Sequence, residues 1–315
     1  MGEFELIARY FTRTPRRPGT LGVGDDCALL APDPGMQLAV STDLLIEGRH
    51  FLPTVPPERL GHKALAVNLS DLAACGATPL GFTLALALPR VDEAFLAGFA
   101  AGLFELAGAA GIDLVGGDTT AGPLAIGITV FGQVPPGQAL LRRGARAGDG
   151  VWVSGTLGDA RLALEAFRGR ARLAGEGFEA ARRAMELPAP RLALGQALRG
   201  VASAAIDLSD GLVGDLGHVL AASGVGARID ADAIPRSALL AAQPREMQLE
   251  CVLAGGDDYE LLFTAPDAGA VQAAAARAGL AVACIGRIEA ERGLRIVDAA
   301  GAPLATVWRG FDHFA

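Results

Sequence analysis

Six short acidic islands, nearly all beside glycine, constrain this chain more than any other feature of it. They read Gly22-Val23-Gly24-Asp25-Asp26, Ser41-Thr42-Asp43, Asn68-Leu69-Ser70-Asp71, Gly116-Gly117-Asp118-Thr119, Asp207-Leu208-Ser209-Asp210-Gly211 and Gly255-Gly256-Asp257-Asp258. Most lie at the edge of an apolar run, where strands and helices meet loops. Glycine lets backbone approach a ligand closely. Carboxylate oxygens are natural ligands of a hard cation such as Mg²⁺. One island alone is ordinary Asp-Gly turn chemistry. Six of them offer what a two-metal phosphoryl-transfer site needs, several carboxylates gathered from distant segments.

The runs between the islands predict an α/β (α+β type) fold of two mixed α/β domains, since strands and helices alternate in both halves. Residues 1–11 read as a short helix and Leu38–Ser41 as a strand leading into Thr42-Asp43. Residues 58–76 read as a helix on which Ala64, Asn68, Asp71 and Cys75 share one line. A carboxylate buried unpaired on that line would be costly, and a metal would relieve the cost. Gly81–Leu88 reads as a strand, and a helix capped by Asp92 and stopped by Gly111 follows it. Ile112–Val115 is a short strand running into Gly116-Gly117-Asp118, and Leu124–Val134 is another. A Pro/Gly/Arg-rich linker at 137–148 separates a domain over 1–136 from one over 149–315. The second half gives strands at Val151–Ser154, Ser203–Leu208, Tyr259–Ala265, Ala281–Arg287 and Leu294–Val297. Helices fall at about 158–167, 176–186, 211–222 and 267–278, with another starting at Pro190.

The chain has 315 residues, is 51% hydrophobic and carries a net charge of −8. That balance excludes disorder and argues against general nucleic-acid binding, which needs a basic face. Lys63 is the sole lysine, so no Gly-Lys-Ser/Thr phosphate loop exists here. Cys27, Cys75, Cys251 and Cys284 are too far apart for a zinc pattern and read as free thiols of a reducing compartment. The charged N-terminus is unlike a signal peptide, and no uninterrupted apolar stretch reaches a membrane span. A soluble, cytoplasmic protein is expected.

Three further positions carry two readings each. His50 is a partly exposed loop histidine or a contact for a substrate phosphate or ring. Arg142, with Arg143, is a solvated linker residue or a cation reaching a triphosphate. Trp308 anchors the core or offers a stacking platform to a heteroaromatic or cationic ring.

Taken in order, Gly2-Glu3-Phe4-Glu5-Leu6-Ile7, Gly22-Val23-Gly24-Asp25-Asp26-Cys27-Ala28, Ser41-Thr42-Asp43 and Gly48-Arg49-His50-Phe51 resemble the thiamine-monophosphate kinase family. Lys63 to Asp71, Gly116 to Thr120, Ile206 to Leu212, Gly255 to Leu261 and Trp308 to Phe314 continue the resemblance, which spans essentially the whole chain. It implies ATP-dependent phosphorylation of thiamine monophosphate to thiamine diphosphate. It also implies the fold of the aminoimidazole-ribonucleotide synthetase superfamily, a homodimer formed through the N-terminal sheet, and a nucleotide between the domains.

By matching position the resemblance implies that Asp26, Asp43, Asp71, Asp118, Asp207 and Asp210 bind several Mg²⁺ ions, with Ser41 and Thr42 adding oxygen ligands. Gly117, Asp118, Arg142 and Ser209 would contact ATP, and His50, Asp257 and Trp308 thiamine monophosphate. Many relatives carry Glu where this chain has Asp257, a shorter side chain of the same charge. Other superfamily members are rivals. Cys27 follows the paired aspartates as it often does in the kinase family, which does not favour a selenophosphate synthetase. The ending Asp312-His313-Phe314-Ala315 lacks the terminal cysteine of the hydrogenase-maturation relative, and the purine cyclo-ligase lacks the Trp308 ending. A non-catalytic nucleotide binder and a purely structural acidic surface are the readings of other classes.

Overall fold

A computed structural model describes residues 2–304, 308, 310 and 311. The chain divides into two compact units, one holding residues up to Leu72 with Ala77–Gly137, the other Ala73–Gly76 and the chain from Gln138 onward.

The first unit opens with α1 (Glu3–Leu6), which widens into a π-helical turn over Ile7–Phe11. It continues through β1 (Gln37–Ile46), α2 (Pro57–Ala74), β2 (Thr78–Leu88), α3 (Glu93–Ala110), β3 (Asp113–Ala121) and β4 (Ala125–Val134). Asp92 caps α3 by accepting from the Phe95 N–H, and Gly111 ends it in the left-handed conformation, as the sequence predicts. The strands form one sheet in the order β1-β4-β2-β3. Leu65, Leu69, Leu72, Phe82, Leu84, Leu86, Phe99, Leu103, Ile128 and Val130 are buried in this unit. Among the described residues α3 alone is long and apolar enough to cross a membrane; its Leu96, Phe99 and Leu103 are instead fully buried.

Two strands are longer than the apolar runs suggest. β1 runs on through Ser41-Thr42-Asp43, pairing with β4 from Gln37↔Val134 to Ile46↔Ala125. β3 starts at Asp113 and passes through Gly116-Gly117-Asp118-Thr119, pairing with β2. Ladder hydrogen bonds come from backbone, so polar residues join a strand wherever a neighbour offers a register. These two islands therefore lie inside strands rather than at their ends.

The second unit comprises β5 (Gly150–Ser154), α4 (Asp159–Phe167), α5 (Glu176–Glu186), α6 (Leu192–Ala197), β6 (Ala204–Asp207), α7 (Leu212–Ser223), β7 (Gly226–Asp230), α8 (Ala238–Ala241), α9 (Arg245–Ala254), β8 (Leu261–Ala265), α10 (Ala268–Ala278), β9 (Val282–Glu289) and β10 (Gly293–Val297). Its sheet order is β10-β7-β9-β5-β8-β6. Alternation along the strands splits the core between the two sheet faces. Val151, Val153, Ile206 and Leu262 join Leu212, Leu216 and Val252 in one cluster. Trp152, Ala205, Leu261 and Phe263 join Leu194, Leu198 and Val271 in the other. Leu140 and Ala145, from the Pro/Gly/Arg-rich stretch, are buried within this unit. β7, α8 and α9 occupy the polar, proline-punctuated segment for which the sequence pattern offers no element.

Candidate active site

In the first unit α2 reaches back to β1. The Ser41 hydroxyl donates to the Asp71 carboxylate at 2.5 Å. The Asp43 N–H donates to the Asn68 side-chain oxygen at 3.0 Å, and the Asn68 amide donates onward to the Ala64 carbonyl at 3.0 Å. Asn68 is fully buried. The helical line read from sequence thus meets Ser41 and Asp43 on one face of the sheet. A hydroxyl donor, and not only a metal, offsets the desolvation of Asp71.

The pleat puts Thr42 on the opposite face, where its hydroxyl shares a 2.8 Å hydrogen bond with that of Thr129. Leu44, Gly127, Ala85 and Asp118 are aligned across the four strands by register, so the Asp118 side chain belongs to that open face as well. Three strand spacings, about 14 Å, separate Asp43 from the Gly117–Asp118 backbone. Within this sheet Asp118 and the Thr42 hydroxyl therefore lie on the face opposite the Asp43 side chain. Asp26 is exposed on the loop before β1, its N–H held by the Asp25 carboxylate at 2.8 Å.

Gly117 has a structural reason to be glycine. Its φ is 148°, and a Cβ there would lie 1.9 Å from the Leu84 carbonyl oxygen of β2. The close approach is to neighbouring backbone, which differs from the ligand approach suggested by the sequence.

His50 sits in the turn after β1, where its Nδ1 accepts from the Ile46 N–H at 3.0 Å. In the neutral ring this leaves the proton on Nε2.

The second unit brings the last two islands together. Asp207, 6% exposed, ends β6. The turn after it runs beside the segment from Gly256 to Glu260: the Leu208 N–H donates to the Glu260 carbonyl at 2.9 Å, the Tyr259 N–H to the Leu208 carbonyl at 2.8 Å and the Asp257 N–H to the Ser209 carbonyl at 2.9 Å. Asp257 and Tyr259 hold positive φ of 70° and 49°, a conformation that non-glycine residues seldom adopt and that concentrates at functional sites. The Phe311 N–H donates to the Asp210 carbonyl at 2.9 Å. Trp308 packs, partly buried, against the cluster that contains Leu212 and Leu216. Arg142 is exposed; its carbonyl accepts from the Ser223 hydroxyl at 3.3 Å, and its guanidinium has no protein acceptor among the described residues.

Two carboxylates that the sequence left unassigned stand behind these loops. Asp215 of α7, 2% exposed, accepts from the N–H groups of Asp210 and Gly211, each at 3.1 Å. Burial, and then the neighbouring Asp210 charge, push its carboxyl up to about 7 against those N–H donors. Asp258 accepts from the Gly158 N–H at the start of α4, at 2.9 and 3.1 Å. Burial of its carboxyl, followed by the charges of Glu260, Asp159 and Asp257, holds it well above the usual carboxylate range. The available signal for Asp215 was an acid inside the apolar stretch Leu212-Val213-Gly214-Asp215-Leu216. Among the described residues no three His, Cys, Asp or Glu side chains gather closely enough to cage a metal ion.

Residues 24–134 match the AIR synthase related protein N-terminal domain, and residues 146–299 match its C-terminal domain. Thiamine-monophosphate kinases of Salmonella typhimurium and Escherichia coli K12 are each 48% identical to this chain over 100% of its length and 98% of theirs. The chain belongs to the thiamine-monophosphate kinase family. The crystal structure of the Stenotrophomonas maltophilia thiamine-monophosphate kinase superposes with a TM-score of 0.88 at 45% identity, covering 96% of this chain and 98% of that one. AaThiL complexed with AMPPCP and TMP superposes with a TM-score of 0.78 at 30% identity, covering 90% of each chain. The hydrogenase maturation protein HypE shares the fold alone, at 22% identity.

Proposed function

We propose that this chain phosphorylates thiamine monophosphate with ATP, giving thiamine diphosphate and ADP by direct in-line transfer, the last step in making that diphosphate. The single observation that carries the reading is 48% identity to thiamine-monophosphate kinases along the full chain. The juxtaposed backbones of Ser209, Asp210 and Asp257 support it, because a phosphoryl-transfer site needs carboxylates held by rigid loops.

Magnesium fits the residues present. Mg²⁺ takes one or two carboxylates and otherwise keeps water and phosphate oxygens. Hard-oxygen groups such as Ser41 with Asp71, and Asp207 with Asp210, suit a phosphate-bridged ion better than a caged one. In this reading Asp43 and Asp71, with Ser41, serve one ion. Asp26, Asp118, Asp207 and Asp210 serve others, with the Thr42 hydroxyl adding an oxygen ligand on its own face of the sheet. Bound Mg²⁺ would supply charge neutralisation between an acidic protein and two anionic substrates. Gly117, Asp118, Ser209 and the guanidinium of Arg142 would position ATP. His50 would donate from Nε2, and Asp257 and Trp308 would contact thiamine monophosphate. The acceptor is a phosphate oxygen already ionised near neutral pH, so these residues need only position it, without a strong general base.

The open face of the first sheet supports a homodimer. Leu38, Val40, Leu44 and Ile46 project from β1 at 42–55% exposure, an apolar row interrupted by Thr42 and of the kind that marks an interface.

The test is acceptor dependence. Purified chain with Mg²⁺ and ATP should release ADP only when thiamine monophosphate is added. ADP release indifferent to that acceptor would remove the assignment.

A further inference from the structure

We infer that Asp215 is a positioning residue for the nucleotide-binding turn: its carboxylate, touching no substrate, fixes the Ser209-Asp210-Gly211 backbone and thereby the direction in which Asp210 is presented. The inference rests on the function proposed above.

The geometry is specific. The Asp210 and Gly211 N–H groups both donate to the same oxygen, Oδ2 of Asp215. The Asp215 N–H in turn donates to the Gly211 carbonyl at 3.0 Å, closing the first turn of α7. Those two donors precede the helix, and no backbone carbonyl of its ladder accepts from them. A buried N–H left unmade costs more than a surface one gains. From the other side the turn is held through carbonyls: Ser209 accepts from Asp257, and Asp210 accepts from Phe311. Asp215 supplies the acceptor that the N–H side lacks. With these groups engaged, the Ser209–Gly211 backbone is held from both sides. Without Asp215, two adjacent N–H groups would seek other acceptors by rotating the turn, and the Asp210 side chain would rotate with it.

A carboxylate behind a ligand-bearing turn acts on affinity through orientation, and removal of such partners typically costs about 10-fold to 100-fold. Because a single oxygen takes both bonds, an amide oxygen can replace it. Asp215→Asn should therefore behave like the parent chain, and Asp215→Ala should not.

The experiment compares these two variants with the parent chain, each shown to be folded by circular dichroism. The expected result for Asp215→Ala is a rise of about 10-fold or more in KM for Mg·ATP, while KM for thiamine monophosphate moves by less than about twofold. Asp215→Asn should recover the Mg·ATP value. An Asp215→Ala chain with unchanged KM for Mg·ATP, or with both KM values raised alike, would overturn the inference. A second readout needs no variant: in the ligand-free parent chain the Asp210 and Gly211 amides should exchange slowly with solvent, and fast exchange at both would overturn it equally. Should the parent chain fail to phosphorylate thiamine monophosphate, the proposed function falls, while amide exchange still decides whether Asp215 holds the turn.

Discussion

The Asp257 N–H donates to the Ser209 carbonyl at 2.9 Å, joining two acidic islands that lie far apart in sequence. Gly256 permits the contact, for a Cβ at that position would stand 2.2 Å from the same Ser209 oxygen. Gly256→Ala should push the two loops apart. We expect a stability loss of about 2 kcal/mol, the usual scale of overpacking against backbone, and a fall in kcat/KM larger than the fraction unfolded explains. Thermal unfolding and initial rates on one preparation check both. Parent-like values would show that the loops separate at no cost.

Asp71→Asn tests the first unit. The amide keeps the size of the side chain and can still accept from the Ser41 hydroxyl, so folding should be retained. It cannot supply a carboxylate charge. Activity at a fixed Mg²⁺ concentration should fall about 100-fold, with part of the loss recovered at higher Mg²⁺. A Mg²⁺ titration of initial rate, alongside an unfolding curve, separates this from misfolding.

Asp258 gives the second unit a pH dependence. Its carboxyl keeps its proton in the folded chain to a higher pH than an ordinary aspartate, because burial disfavours the charge. At low pH both states are protonated. As pH rises through the ordinary value near 4, the unfolded chain releases its proton first, and stability falls until the folded-state carboxyl ionises too. Asp258→Asn removes that decline. The melting temperature of the variant minus that of the parent should therefore rise as pH increases from about 4. Parallel curves over the range would contradict the assignment.

Leu44 stands on the open face of the first sheet at 55% exposure, in register with Gly127 and Ala85. If a second copy covers this face, Leu44→Glu should convert a dimer to a monomer on size-exclusion chromatography, since an unpaired buried charge is strongly unfavourable. A change of that size in an exposed residue should leave the melting temperature of an obligate monomer nearly unchanged.

Legibility from sequence followed the physics of each segment. α3 was readable from end to end because Asp92, its apolar face and Gly111 all act locally. The strand character of Thr42-Asp43 and of Gly116-Gly117-Asp118 was not readable, because it depends on the ladders offered by β4 and β2. Asn68 and Asp71 could be put on one helical line from their spacing, whereas the bond from the Asp43 N–H to Asn68 appears only in the fold. The opposite facing of Thr42 and Asp118 required the register. Asp215 was missed because an acid inside an apolar helix looks like a solvated position until the turn it supports is in view. The union of Ser209 with Asp257 is a long-range fact that no local pattern encodes.

The decisive measurement follows the label of ATP carrying ³²P in its terminal phosphate, mixed with the chain, Mg²⁺ and thiamine monophosphate. Direct transfer puts label in thiamine diphosphate in step with ADP, leaves none covalently on the protein when the acceptor is left out, and stops when Mg²⁺ is removed. Label released as inorganic phosphate, or trapped on the protein before the acceptor is added, would contradict it.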